Sequence, residues 1–246
     1  MAHGIEEAIR RRVRAAETGR LSTSVIVRTV AAQCLDAPSI TRKIETAGNL
    51  FRGSSSVRGA LLCVSGGDEA RSSSRKKLLD CRFSLDQASR LRARGEIPES
   101  IDLWAVANPM TDSVDSFCRK VDAGARCFLT QPPFFPGQSL AWFEGVAATD
   151  QARGVDILVG VPMITSTRNL EFWLDLCGVS YGGEEARRIK ASVAEVGSSG
   201  STYIEWNATF IRETALQMPG VTGVHVMPVT ASGLSMMRQA MDRALR

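Results

Sequence analysis

Histidine is nearly absent from this chain. His3 and His225 are its two imidazoles, and neither belongs to a cluster of Cys, His or acidic residues with the spacing of a metal site. Aromatic residues make up 6% of the 246 positions, and no basic patch is interleaved with rings that could stack on bases. A net charge of +4 is too weak to argue for nucleic acid, which is set aside as a partner, although it suits phosphorylated or carboxylated ligands. No apolar run approaches the roughly eighteen residues of a membrane span. There is no G-x-G-x-x-G, no P-loop and no G-x-S-x-G. The cysteines Cys34, Cys63, Cys81, Cys118, Cys127 and Cys177 form no C-x-x-C pair. Most sit in apolar runs and read as buried, reduced core residues, which points to a reducing compartment, the cytoplasm with an organelle matrix as the alternative.

What is present is a regular alternation. Six β-branched or apolar runs, near residues 24, 60, 104, 128, 158 and 225, are separated by one-sided helical patterns. Apolar strands alternating with such helices imply a parallel sheet covered by helices, an α/β fold, and no linker or repeat divides residues 1–246, so one domain is expected. Residues 1–20 read as a basic amino-terminal helix. Glu6 and Glu7 lie four residues before Arg10 and Arg11, a spacing that suits a surface helix better than an acid-poor transit segment. The next helix places Ile40, Ile44, Ala47 and Phe51 on one face, with Ser39 as its cap. A helix opens at Ser84, with Gln87 at capping-box spacing, and stops at Gly95. Another turns Val114, Phe117 and Val121 inward and ends at Gly124. Later inward stripes read Leu140, Phe143 and Val146; Leu170, Trp173 and Cys177; Ala186, Ile189, Val193 and Val196; Ile204, Ala208, Ile211 and Ala215; and Leu234, Met237 and Met241.

The residues able to do chemistry gather where the apolar runs stop, which in parallel α/β folds is where ligands bind. Asp68 follows two glycines, Gly67 among them, that let the backbone approach a ligand closely. Asn108 ends the run "DLWAVA", and Gln131 ends "RCFLT" just before the stiffening pair Pro132-Pro133. An amide such as Gln131 both donates and accepts, which suits a heterocycle with alternating N–H and C=O groups. Helical spacing puts Arg119 and Lys120 on a solvated face, with reach toward a phosphate as the alternative. His225, in an apolar strand, reads as a hydrogen-bonded core histidine rather than a general base.

Five stretches in order, "VSGGD" (64–68), "VANP" (106–109), "RKVDAGARCFLTQ" (119–131), "GVPMITSTRNLEFWLDLCGV" (160–179) and "GVHV" (223–226), resemble the methylenetetrahydrofolate reductase family. The resemblance runs from about residue 24 to the carboxyl end. It implies a TIM-type (β/α) barrel that passes a hydride from NADH or NADPH, through bound FAD, to 5,10-methylenetetrahydrofolate, giving the 5-methyl product used in methionine synthesis. It also implies roles for individual residues. Asp68 and Gln131 would be the catalytic pocket groups and would contact the folate together with Phe134. Gly67, Asp68, Asn108, Arg119, Lys120 and Ala125 would hold the cofactor.

The departures from the family are specific. Its opening "FEFFPP"-like strand, whose glutamate serves as the acid, has no counterpart here, so the six runs match strands three to eight of an incomplete barrel. The tyrosine expected after "GD" is missing, and Met227, Pro228, Val229 and Thr230 replace a Tyr-Thr-Leu-Asn pattern. A six-strand slice has open edges near residues 26 and 225, so the chain is expected to close differently, continue upstream, or pair with a further copy or partner subunit. Two readings stay open: a folate reductase, or a reductase-derived subunit that binds without catalysing.

Overall fold

A computed structural model describes residues 25–32, 36–53, 58–65, 79–178, 183–195 and 200–246. The expected helix over residues 1–20, together with Cys34, Gly67, Asp68, the Ser-rich basic loop and Val196, lies outside these residues. The strands are β1 (Val25–Ala31), β2 (Arg58–Val64), β3 (Asp102–Ala107), β4 (Cys127–Thr130), β5 (Asp156–Pro162) and β6 (Gly223–Met227). The helices are α1 (Ala37–Asn49), α2 (Cys81–Ala93), α3 (Val114–Asp122), α4 (Pro136–Ala147), α5 (Thr167–Leu176), α6 (Glu184–Glu195), α7 (Gly200–Glu213) and α8 (Ala231–Ala244). The strands hydrogen-bond in chain order, and the β1–β2, β2–β3 and β5–β6 pairs are parallel. Parallel neighbours need a crossover, and here at least one helix supplies it between successive strands. The fold is therefore α/β, and among the described residues six strands alternate with helices.

The chain packs as two compact units, Met1–Val106 with Arg119–Cys127, and Ala107–Cys118 with Phe128–Arg246. In the first unit Ile40 and Ile44 of α1, Leu85 and Leu91 of α2, and Leu61, Cys63, Leu103 and Ala105 of the strands are fully buried. Both helix starts differ from the sequence reading. Asp36, not Ser39, caps α1, its carboxylate accepting from the Ser39 N–H at 2.8 Å. Pro38 then sits inside the first turn, where its missing N–H would have had no partner anyway. Asp80 caps α2 by accepting from the Phe83 N–H at 2.8 Å, while Ser84 is buried one turn in. In each case a carboxylate three residues before the N–H it accepts from is the better acceptor for exposed first-turn N–H groups.

The helix stops agree with the sequence. After α3, Gly124 at φ +109° donates to the Val121 carbonyl (2.9 Å) and Ala125 donates to the Lys120 carbonyl (3.1 Å). These paired bonds form a Schellman close, which needs a residue without Cβ strain at its left-handed position. Gly95 and Glu96 repeat the pattern after α2.

The second unit is built around rings. Phe117 lies 4.4 Å from Phe128 and 6.0 Å from Trp142, which meets Phe143 edge-on at 5.0 Å. Two expected stripes are met only in part, with Phe143 and Val146 buried as expected. Leu140 is 38% exposed because α4 turns Ser139, Trp142, Phe143 and Val146 inward, so that its largest rings are buried. Leu234 is 60% exposed, and α8 instead buries Gly233, Met236, Ala240 and Ala244, and it packs against α7. Of the described cysteines, Cys63, Cys81, Cys127 and Cys177 are buried, Cys118 is half-buried, and all five are free thiols. Among the described residues no helix is long and apolar enough to cross a membrane.

Candidate functional site

In the second unit two amides that follow strands converge on one residue, Cys177, at the end of α5. Asn108, one residue past β3, donates from Nδ2 to the Cys177 carbonyl at 2.8 Å. Its Oδ1 accepts from the Met110 N–H at 3.1 Å, the short-range bond of an Asx turn. The backbone of Asn108 closes the same turn: its N–H meets Asp112 Oδ2 at 3.2 Å and its carbonyl takes the Asp112 N–H at 2.8 Å. Both ends of the Asn108 side chain are thus committed within the protein.

Gln131 is placed differently. Its backbone N–H continues the ladder to Ala107 at 2.8 Å, and its Oε1 takes a weak contact from the Cys177 thiol at 3.8 Å. Its Nε2 has no partner among the described residues, and the side chain is half-buried. Burial pushes the Cys177 thiol up to about 12, so at neutral pH it stays protonated and can only be a weak donor to Gln131. Gln131 therefore presents a free amide donor beside an acceptor that is barely used. Pro132 and Pro133 carry the chain on to Phe134, which is buried and tilts against Phe210 with ring centres 5.7 Å apart.

The loop after β5 is held by side chains that the sequence reading did not single out. Asn207 of α7, fully buried, accepts from the Ile164 N–H at 2.8 Å and donates to the Ile164 carbonyl at 2.8 Å. Asn169 accepts from the Thr165 N–H at 3.3 Å, and Ser166 caps α5 through the Asn169 N–H at 3.1 Å. A signal was present, because Asn207 stands beside Ala208 between Ile204 and Ile211, where an uncompensated amide would be costly.

His225 corrects an expectation. Its Nδ1 is buried and has no hydrogen-bond partner among the described residues. Its register neighbour on β5 is Gly160, which brings no side chain to meet it. Burial pulls its pKa below the ordinary 6.5, which favours the neutral ring.

The first unit holds the remaining described candidates. Lys120 is half-buried rather than solvated, and its Nζ donates to the Val106 carbonyl near the end of β3 at 2.8 Å. The long stem runs back along the helix toward the strand, a reach that helical spacing does not reveal. Arg119 is exposed. Ala125 is fully buried, with its N–H on Lys120 and its carbonyl on Arg126 Nη1 at 2.9 Å. Asp68 and Gly67 are not among the described residues. Nor, among the described residues, does any group of three His, Cys, Asp or Glu gather as metal ligands.

No protein-family model and no curated protein sequence matches this chain. Solved structures do resemble it. One is an uncharacterised protein from Clostridium thermocellum that binds two copies of 5-methyl-5,6,7,8-tetrahydrofolic acid, aligned at 15% identity over 99% of this chain and 88% of that one, with a TM-score of 0.52. Another, oxaloacetate acetylhydrolase in complex with the inhibitor 3,3-difluorooxalacetate, aligns at 12% identity over 98% of this chain and 75% of that one, with a TM-score of 0.41. The first likeness shows a shared fold.

Proposed function

We propose that this chain binds a reduced folate on an incomplete β/α barrel related to the methylenetetrahydrofolate reductases, and that Gln131 reads the pterin. The observation that carries the reading is the state of the Gln131 amide, a free donor next to a weakly engaged acceptor at the carboxyl end of a strand. A pterin edge alternates N–H and C=O groups, and one carboxamide can pair with two of them. The tetrahydrofolate bound by the Clostridium thermocellum protein of shared fold supports the same ligand class.

The finer reading, hydride transfer from NADH or NADPH through FAD to 5,10-methylenetetrahydrofolate, finds less support. Ala125 has both backbone groups committed and no exposed surface, and Asn108 spends its amide on Cys177 and Met110. These two residues do not fit a flavin contact. The proposal accordingly favours a reductase-derived binding protein. Calorimetric titration of the purified protein with 5-methyltetrahydrofolate tests it: saturable one-site binding is expected, and its absence rejects the folate reading. A yellow flavin spectrum, with NADH oxidation that depends on a quinone acceptor, would restore the enzyme reading.

A further inference from the structure

A cavity of about 520 Å³ opens in the second unit between α6, α7 and the segment after β4; Phe134 lines it, and Asn108, Gln131 and Cys177 do not. That volume suits a small organic molecule. One wall is aromatic and fixed in place. Trp206 and Phe210, one turn apart on α7, stack with ring centres 5.6 Å apart and planes 8° from parallel, and Phe134 leans on Phe210. The indole cannot swing freely, because Nε1 donates to Ser192 Oγ at 3.2 Å while that hydroxyl donates to the Ile189 carbonyl at 2.8 Å.

The charges on the lining are unequal in their commitments. Arg188 faces the cavity but pairs one turn back with Glu184. Glu185 also lines the cavity and has no cationic partner among the described residues. Counting Glu184 with the two charged lining residues, Glu185 and Arg188, this side of the cavity carries one net negative charge. Aromatic faces attract cations through their negative quadrupole, so wall and carboxylate favour the same kind of guest. We propose that this cavity is a binding site for a flat organic cation, separate from the Gln131 site.

Titrating the intact protein with 1-methylquinolinium, followed by tryptophan fluorescence and calorimetry, tests this, with 1-naphthoate as a probe of similar shape and opposite charge. One quinolinium per chain is expected, bound about tenfold or more tighter than naphthoate. Glu185→Gln, an exposed substitution, should remove most of that preference, and Ile189→Trp should abolish binding by filling the space. Equal affinity for the two probes, an unchanged preference in Glu185→Gln, or no saturable binding of quinolinium overturns the proposal. Folate affinity is read separately through Gln131, so either site can fail without the other.

Discussion

Asn207 grips both backbone groups of Ile164. Its Oδ1 accepts from the Ile164 N–H and its Nδ2 donates to the Ile164 carbonyl, each at 2.8 Å, while Nδ2 also reaches the Tyr203 carbonyl at 2.7 Å. The loop that leaves β5 is thereby tied to α7 with no solvent exposure at the amide.

Asn207→Leu keeps the branching at Cγ but leaves the N–H and carbonyl of Ile164 buried without partners. At about 1–3 kcal/mol for each orphaned group, the variant should lose roughly 2–6 kcal/mol. Urea unfolding should show a lower midpoint at unchanged slope; an unshifted midpoint would mean that the loop finds other partners.

Two glycines should respond in opposite ways to alanine. A Cβ on Gly160 would overlap the Thr130 carbonyl oxygen, which is backbone and cannot step aside, so Gly160→Ala should cost about 3 kcal/mol or more. Gly137, in the first turn of α4, has open space around it, and Gly137→Ala should add up to about 1 kcal/mol. Thermal melts of the two variants side by side check both signs.

Asn108 and Gln131 should separate stability from binding. Asn108→Ala strips partners from the Cys177 carbonyl and the Met110 N–H, and should destabilise by about 1–3 kcal/mol. Gln131→Ala loses one weak contact and should melt like the wild type, yet bind 5-methyltetrahydrofolate about tenfold more weakly. Unchanged affinity in Gln131→Ala would reduce that residue to a turn glutamine.

Stability should fall in mild acid because of His225. Its folded pKa lies below the ordinary 6.5, so the unfolded chain takes the proton more readily. The neutral-ring contribution is complete above that ordinary value and declines as pH drops through and below it. Melting temperatures from pH 7.5 down to 5.5 should decrease more steeply for the wild type than for His225→Gln, and parallel curves would count against this account.

Much of the architecture was readable from residue order. Alternating apolar runs located all six strands, because period-two and period-3.6 patterns reflect local backbone geometry. Gly95 and Gly124 marked helix ends for the same reason, since the left-handed position that closes a Schellman turn strains any side chain. Less was readable at helix starts. Asp36 and Ser39 both offered an oxygen, and the extended backbone at Asp36 made its carboxylate the cap. The buried faces of α4 and α8 likewise followed what packed against them, which left Leu140 and Leu234 outside.

The candidate site shows the same division most clearly. By itself the chain put an amide directly after each of two neighbouring strands, and those amides looked equivalent. Folding made them different: a carbonyl from 69 residues downstream arrives beside Asn108 and takes its donor, while Gln131 receives only a buried thiol. Which polar group stays free for a ligand depends on contacts between distant segments, and local patterning carries no record of those.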